Sequence, residues 1–398
     1  MALLLRNLGF LFFSFAASAY VNVMPQLVFA RIAPAAKSLW LAATLLIGTI
    51  GCLAAVELAR RLGYGKRPRL GGGLVTVAIL ALLFLAADVA HPLHFAALCV
   101  VLRGLCQYAS QETDRRATAL AGAAGRAPND TVSLSLRFAG MLSGPLFVGQ
   151  HPDFDRLSAG VYLALGALSL CGSLAVAAAP PVVASPAAGE PDPPEPPLRR
   201  SEHLVIWAAR LTFACYAMLS ACILYALRDL HGLADAARRG STMFTAAFGA
   251  AMIATPFLAT LRNRVARPRA LLGMLPAPSG IVAAGLLLPS PSVGRLGPGL
   301  AGAAVLGVAF AAFQLSFRDY ASRQAVEGGK NVLLAIFNNL SSTSALLAFG
   351  VMLGLSIVAR ALAVEPARAS GLGVAALGVA AVVATVQARR THLRNKVE

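Results

Sequence analysis

Long apolar runs separated by short polar and basic segments account for most of the chain. In the first half they cover roughly 8–30, 39–58, 70–89, 93–113, 131–150 and 157–179. In the second half they cover roughly 203–227, 241–261, 268–289, 297–317, 331–359 and 369–387. An apolar run of 18 or more residues can cross a hydrocarbon core of about 30 Å as an α-helix. The pattern therefore predicts an all-α membrane protein with twelve transmembrane helices, numbered here as spans 1 to 12.

A proline-rich segment, Pro180–Glu202, separates the two sets of six spans. It contains eight of the chain's 23 prolines together with Glu190, Asp192 and Glu195. Such a composition neither packs a core nor spans lipid. We therefore predict an N-terminal six-helix bundle (1–180), a solvated linker (181–202) and a C-terminal six-helix bundle (203–398).

The composition supports membrane insertion, because 58% of the residues are hydrophobic and only 13% are charged. The net charge of +17 does not indicate nucleic-acid binding, since the basic residues form short clusters between apolar runs. With a cytoplasmic N-terminus, 22 of the 34 Lys and Arg residues fall in cytoplasmic segments, nine in external loops and three inside spans. The positive-inside rule then predicts that both termini and the linker are cytoplasmic. The excess of Arg, Ala and Gly is typical of a GC-rich bacterial genome, so we expect an inner-membrane location.

Span 5 carries the most informative motif, the segment Gly140–Gly149 with the sequence GMLSGPLFVG. It resembles the antiporter signature G-x-x-x-G-P-x-x-G-G of the major facilitator superfamily, with Val148 in place of one glycine. The halves also echo each other weakly, because Arg67-Pro68-Arg69 after span 2 recurs as Arg267-Pro268-Arg269 after span 8. The resemblance implies two six-helix bundles that export a small organic solute by alternating access. It also implies roles in helix approach and bending for Gly140, Gly144, Pro145 and Gly149.

The loop after span 2 resembles the basic gating loop of the same superfamily, G-x-L-A-D-R-x-G-R-R. Arg61 and Gly63 match that pattern, whereas Val56 and Arg60 replace its first glycine and its aspartate. Glu57 is a candidate to replace the missing acid. A plain cluster of orienting positive charges is an equally good interpretation.

Arg103 is the strongest candidate for contact with substrate. It lies near the middle of span 4, where an unpaired guanidinium is costly and turns toward a polar interior. Gln107 follows at i+4 on the same helix face. Asn22 in span 1, and Asn338 and Ser342 in span 11, are further cavity candidates, although hydrogen bonding between helices is the alternative for each. A cavity lined by Arg103 favours an anionic substrate, or a neutral one with a strong acceptor group.

Other charged residues allow two interpretations. Arg137 and Arg210 lie six or seven residues inside spans 5 and 7, so they could serve function or reach the headgroups. No Asp or Glu lies well inside any predicted span, which leaves Glu57, Glu112 and Asp319 at span ends as candidates for proton carriers. Arginine does not release its proton in proteins, so it cannot itself carry one.

Other functional classes find less support in the residues. The six cysteines lie in predicted spans without C-x-x-C or Cys/His spacing, and the six histidines are scattered, so we expect no metal, cofactor or enzymatic site. No phosphate-binding G-x-x-x-x-G-K-[ST] motif occurs, which argues against ATP-driven transport. Uptake or exchange of an anion, and a scaffold that has lost transport, remain as alternatives. We expect a monomer whose partners are a small solute and the lipid bilayer.

Overall fold

The fold is that of long helices packed side by side. The computed structural model describes residues 37–61, 128–142, 145–146, 196–225, 227, 236–263, 296–328, 331–364 and 366–394, together with positions 11 and 14.

Seven helices are long enough to label within this part of the chain. They are α1 (Lys37–Arg61), α2 (128–142), α3 (Arg200–Tyr225), α4 (Ala236–Asn263), α5 (Leu296–Gly328), α6 (Asn331–Ala361) and α7 (Pro366–Arg394). Helices α3 to α7 each contain a stretch of 21 to 26 residues that is long and apolar enough to cross a membrane.

These helices confirm a helical structure within predicted spans 2, 7, 8, 10, 11 and 12, and in span 5 over the part up to residue 142. Several ends extend beyond the prediction, and the longest extensions are at the start of α4 (Ala236 instead of 241), at the end of α7 (Arg394 instead of 387) and at the end of α5 (Gly328 instead of 317). The extension of α5 arises because its charged residues after Phe317 are buried against other helices, so they do not end the helix. Predicted spans 3, 4, 6 and 9, and all of span 1 except positions 11 and 14, lie outside the described residues.

Helices α3, α6 and α7 pack together in the C-terminal half. Cys215 Sγ of α3 lies 3.2 Å from the carbonyl oxygen of Val374 in α7. A Cβ atom added at Gly373 would meet the side chains of Met218 in α3 and Leu355 in α6. The pairings 215 with 374 and 218 with 373 run in opposite directions along the chain, so α3 and α7 are antiparallel.

Helices α4 and α5 form a second tight pair. A Cβ atom added at Gly307 of α5 would overlap the backbone carbonyl of Ala247 in α4, so the two backbones touch at this crossing. Only a residue without a side chain allows that approach. Helix α4 also contains Pro256, whose carbonyl oxygen accepts a hydrogen bond from Thr260 Oγ1 at 3.0 Å.

Two helix ends are fixed by local hydrogen bonds. At the start of α3 the backbone N–H of Arg199 donates to Glu202 Oε2 at 2.7 Å, one half of a capping box. At the end of α6 the N–H of Val364 donates to the carbonyl of Ala359 at 2.8 Å, and Ala363 has a φ of 53°. That bond, which closes over five residues with a left-handed residue just before its donor, is the pattern of a Schellman motif.

Candidate functional site

The N-terminal and C-terminal halves of the chain meet where α2 packs on α5. Asp130, Leu134 and Phe138 of α2 are spaced by four residues, so they share one face of the helix. All three are at least 98% buried. Leu134 and Phe138 belong to a core that also contains Phe310, Phe313 and other residues of the C-terminal helices. The α2 face therefore forms part of the contact between the halves.

A fully buried ion pair joins the two helices. Arg318 Nε of α5 lies 2.7 Å from Asp130 Oδ1 of α2, and both side chains have 0% exposure. Ser322, one turn further along α5, donates a longer hydrogen bond of 3.4 Å from its hydroxyl to Asp130 Oδ2. Asp130 and Arg318 are 188 positions apart in the sequence, so this pair is a purely tertiary contact.

The surroundings of Arg318 are both aromatic and charged. Its Cζ atom lies 5.7 Å from the centre of the Phe337 ring of α6, within the range of a cation–π contact. The next residue, Asp319, is 99% buried and pairs with Arg323 one turn on, at 2.9 Å between Arg323 Nε and Asp319 Oδ2. Two acids and two arginines thus balance each other in charge around this part of α5.

An aromatic cluster precedes the ion pair along α5. The Phe138 ring of α2 meets the Phe310 ring edge-on, with centroids 5.9 Å apart. Tyr216 of α3 packs on the same ring at 4.2 Å and donates its hydroxyl to the carbonyl of Leu306 at 2.7 Å. Phe310 is therefore held from both halves of the chain.

These contacts define the direction in which α2 and α5 cross. Asp130 meets Arg318, and Phe138, eight residues later in α2, meets Phe310, eight residues earlier in α5. The helices are therefore antiparallel over about 12 Å, given a rise of 1.5 Å per residue. The Asp130–Arg318 pair lies at one end of this interface and the Phe138–Phe310 ring contact lies at the other.

A buried ion pair in this position is suited to switching. Taking either charge out of water costs several kcal/mol, which its partner offsets only while the two remain in contact. If the helices separate and water enters, both groups regain hydration. The closed and open arrangements can therefore be close in free energy, whereas an intermediate with one bare buried charge is disfavoured.

The structure brings together few of the residues predicted to bind substrate. Ser342 of α6 is 99% buried. Asn338 lies within α6, whereas Arg103, Gln107 and Asn22 lie outside the described residues. Arg137 is partly buried in α2, and Arg210 of α3 places its Cζ atom 5.4 Å from the centre of the Trp207 ring.

The predicted gating residues are also only partly described. Gly140 is buried in α2, and Pro145 is buried in a helical position just beyond it. Arg61 is 74% exposed and pairs with Glu57 at 2.9 Å, so Glu57 contacts the basic segment through a surface pair. Gly63, Gly144 and Gly149 lie outside the described residues.

The acids at span ends differ in their burial. Asp319 is 99% buried and ion-paired, Glu57 is half-exposed, and Glu112 lies outside the described residues. Sequence reasoning missed Asp130 and Arg318 altogether, because each lies one residue beyond a predicted span. Both residues are nevertheless buried, because α2 and α5 pack on each other at these positions.

Comparisons with known proteins identify the fold. No family model matches the chain, and no curated protein sequence matches it either. Among solved structures, human organic anion transporter MFSD10 (TETRAN) has a TM-score of 0.70 at 13% identity, over 96% of this chain and 98% of that one. The D-xylose-proton symporter has 0.68 at 11% identity, over 97% and 96%. A mutant of nucleoside transporter NupG has 0.66 at 13% identity, over 98% and 100%.

These likenesses extend over nearly the whole chain and involve transporters, not enzymes. At 11 to 13% identity they show the fold, and they do not transfer a substrate. The predicted fold class is confirmed: the chain has the all-helical membrane fold of the major facilitator transporters.

Proposed function

We propose that this protein is a secondary active transporter that exports a small organic solute by alternating access, with the Asp130–Arg318 pair as its cytoplasmic gate. The observation that carries the proposal is the 2.7 Å contact between two fully buried charges from opposite halves of the chain. In this arrangement the pair closes one end of the interface. Separation of α2 from α5 breaks the pair and opens that end.

The fold and the sequence motif support the two parts of this proposal. The matched structures are a nucleoside transporter, an organic anion transporter and a proton symporter, which supports solute transport. The span 5 segment that resembles the antiporter signature begins within α2, which also carries Asp130. The residues that would bend the span and the acid of the ion pair therefore belong to the same predicted span region, and the resemblance to the antiporter signature favours export.

Transport itself is tested on purified protein. A thermal-shift screen against metabolites and drugs identifies a ligand, because a ligand that binds only the folded state raises apparent stability. The ligand is then offered to proteoliposomes under a proton gradient. Gradient-driven accumulation supports the proposal, whereas a folded protein that binds the ligand and moves none of it is the transport-dead scaffold.

Topology gives a separate prediction. We expect cysteines introduced at Ser185 in the linker and at Glu398 to be protected from impermeant reagents in intact cells, because the distribution of Lys and Arg favours cytoplasmic termini. Cysteine labelling before and after permeabilisation measures this. Labelling in intact cells would contradict the twelve-span arrangement and the assignment of Asp130 to the cytoplasmic end.

The charge of the substrate forms a further prediction. Buried Asp130 pairs with Arg318 and buried Asp319 pairs with Arg323, and Arg103 of span 4 is the charged residue that the sequence predicts to line the cavity. We expect a preference for an anionic ligand, which a guanidinium binds in bidentate fashion. MFSD10, one of the proteins with a similar fold, is an organic anion transporter, which agrees with this choice.

Arg103→Lys and Arg103→Ala separate charge from geometry. The lysine keeps the charge but loses the planar fork, so it should weaken anion binding, and alanine should abolish it. The affinities of the unmodified protein and of both variants are measured for an anionic ligand and for a matched cationic analogue. Preference of the unmodified protein for the cation, or unchanged anion affinity in folded Arg103→Ala, would reject an anionic substrate.

A further inference from the structure

The first turns of α3 carry an exposed basic and aromatic surface that the proposed gate does not use. Arg200, His203 and Trp207 are exposed, with Trp207 at 50%, and Arg210 is partly buried. The spacing of three and four residues puts all four on one side of the helix. The opposite side of α3, with Val205, Ile206 and Ala209, packs into the core.

The end of α7 lies beside this surface. Counted at equal rise from the contact of Cys215 with Val374, antiparallel helices would bring Arg200 level with Arg389, and Ala388 of α7 shares a buried core with Val205 and Ile206 of α3. Arg389 and Arg390 are both exposed. We call Arg200, His203, Trp207, Arg210, Arg389 and Arg390 the basic face.

Little negative charge opposes the basic face from its own helices. Glu202 is the single acid in α3, and α7 has none. Glu202 is 95% buried and accepts the N–H of Arg199, and this one carboxylate stands against the four arginines of the basic face. The field over the basic face is therefore positive.

The geometry of Arg210 indicates how deep a ligand would reach. Its Cα is ten residues past Arg200, about 15 Å along the helix. Side chains lean toward the helix N-terminus, and Arg210 does so, with its Cζ atom 5.4 Å from the centre of the Trp207 ring. Its Nε is buried and has no hydrogen-bond partner among the described residues. The guanidinium is thus drawn toward the helix start, beside Trp207.

The neighbouring surface identifies the surrounding medium as lipid. Leu372, Val379 and Val383 of α7 are 70%, 54% and 49% exposed, and they share one face with Arg390. Val383 lies about level with Trp207 by the same antiparallel pairing. From the middle of these helices toward their cytoplasmic ends, the exposed side chains are first aliphatic, then a tryptophan, then arginines. This is the order expected from acyl chains to lipid headgroups.

We propose that the basic face binds the headgroup of an anionic phospholipid in the cytoplasmic leaflet. The phosphate would lie against Arg200, Arg389 and Arg390, and the glycerol region would lie over Trp207, within reach of Arg210. Arginine suits this role because its planar fork matches phosphate oxygens. Clusters of basic residues at the cytoplasmic ends of spans attract anionic lipids in this way.

Lipid-dependent stability provides the test. Purified protein in detergent receives phosphatidylglycerol or phosphatidylcholine at equal mole fraction, and the unfolding temperature is recorded. Native mass spectrometry counts the lipids that remain bound. We expect phosphatidylglycerol to raise the unfolding temperature and phosphatidylcholine to have little effect. Replacing Arg200 and Arg210 together with Gln should weaken phosphatidylglycerol binding about tenfold or more, given the usual contribution of a basic residue near an anionic membrane.

A matched variant controls for loss of charge in general. Arg360, near the end of α6, and Arg368, near the start of α7, are exposed arginines. Both lie at the helix ends that are far from the basic face. The Arg360→Gln/Arg368→Gln protein should keep the full effect of phosphatidylglycerol. Should the first double variant elute as aggregate, Arg389→Gln/Arg390→Gln near the end of α7 repeats the measurement.

Three outcomes would overturn the proposal. If Arg200→Gln/Arg210→Gln and Arg360→Gln/Arg368→Gln lost the stabilisation by phosphatidylglycerol to the same extent, the protein would be responding to net charge alone. Equal stabilisation by sodium phosphate, against chloride at matched ionic strength, would indicate a free-phosphate site instead of a lipid site. Loss of solute transport in Arg200→Gln/Arg210→Gln with an unchanged effect of phosphatidylglycerol would place the basic face in the transport cavity.

Discussion

Replacing Asp130 with Asn while Arg318 remains is expected to lower the free energy of unfolding by about 3–5 kcal/mol and to abolish transport. The substitution leaves a guanidinium with 0% exposure facing a neutral amide. Arg318→Gln should be similarly costly, because it strands the carboxylate of Asp130. Unfolding in denaturant, or thermal melting, measures the loss.

The double variant Asp130→Asn/Arg318→Gln distinguishes a gate from an ion pair that only stabilises the fold. Two amides can hydrogen-bond to each other and carry no charge, so stability should recover by most of the loss, as a double-mutant cycle would show. The attraction that closes the interface is nevertheless weakened. Accessibility of a cysteine beside Asp130 from the cytoplasmic side should therefore rise in the stable double variant.

The exposed pair Glu57–Arg61 is the matched control, because its 2.9 Å contact lies on the helix surface. Its double neutralisation should change stability by only about 0.5 kcal/mol or less. If Asp130→Asn behaved like this surface control, the buried pair would have no special role. Unchanged cysteine accessibility in the double variant would contradict its function as a gate.

The second large effect is expected at Gly307. Gly307→Ala adds a methyl group that overlaps the Ala247 carbonyl in α4, so α4 and α5 must move apart. Overpacking of this kind costs about 1–3 kcal/mol. The cost should exceed the gain that alanine normally brings to a helix, about 0.5–1 kcal/mol.

Gly302 supplies the control within the same helix. No atom of the described residues lies within 4 Å of a Cβ atom added there, so Gly302→Ala should be neutral or slightly stabilising. Thermal melting of the two variants side by side gives the comparison. Similar melting temperatures would mean that α4 and α5 do not rely on backbone contact at Gly307.

The sequence predicted the helices well because membrane insertion is decided by local composition. A run of apolar residues long enough to cross the bilayer is visible without knowledge of its neighbours, and seven of the predicted spans coincide with described helices. The resemblance of Gly140–Gly149 to a transporter signature indicated the fold family. Both kinds of information lie within about twenty consecutive residues.

The ion pair between the halves could not be predicted in the same way. Phe317-Arg318-Asp319-Tyr320 interrupts an apolar run, and the ordinary interpretation is a helix end in water. What holds Arg318 in place is a carboxylate 188 residues earlier, and no periodicity connects the two positions. By contrast, Asp319 and Arg323 are four residues apart on one helix, and their pairing could have been anticipated.

The antiparallel arrangement of α2 and α5 has a mechanical consequence. The ring contact of Phe138 with Phe310 and the Asp130–Arg318 pair lie eight residues, about 12 Å, apart along each helix. With the rings as pivot, a tilt of about 20° would shift the charged end by roughly 4 Å on this lever arm. That displacement exceeds what an ion pair tolerates and admits a water molecule, while the rings can roll on each other without losing contact. The two halves could thus rock about the Phe138–Phe310 ring contact. This apolar pivot would stay closed to water, while the end with the Asp130–Arg318 pair opens.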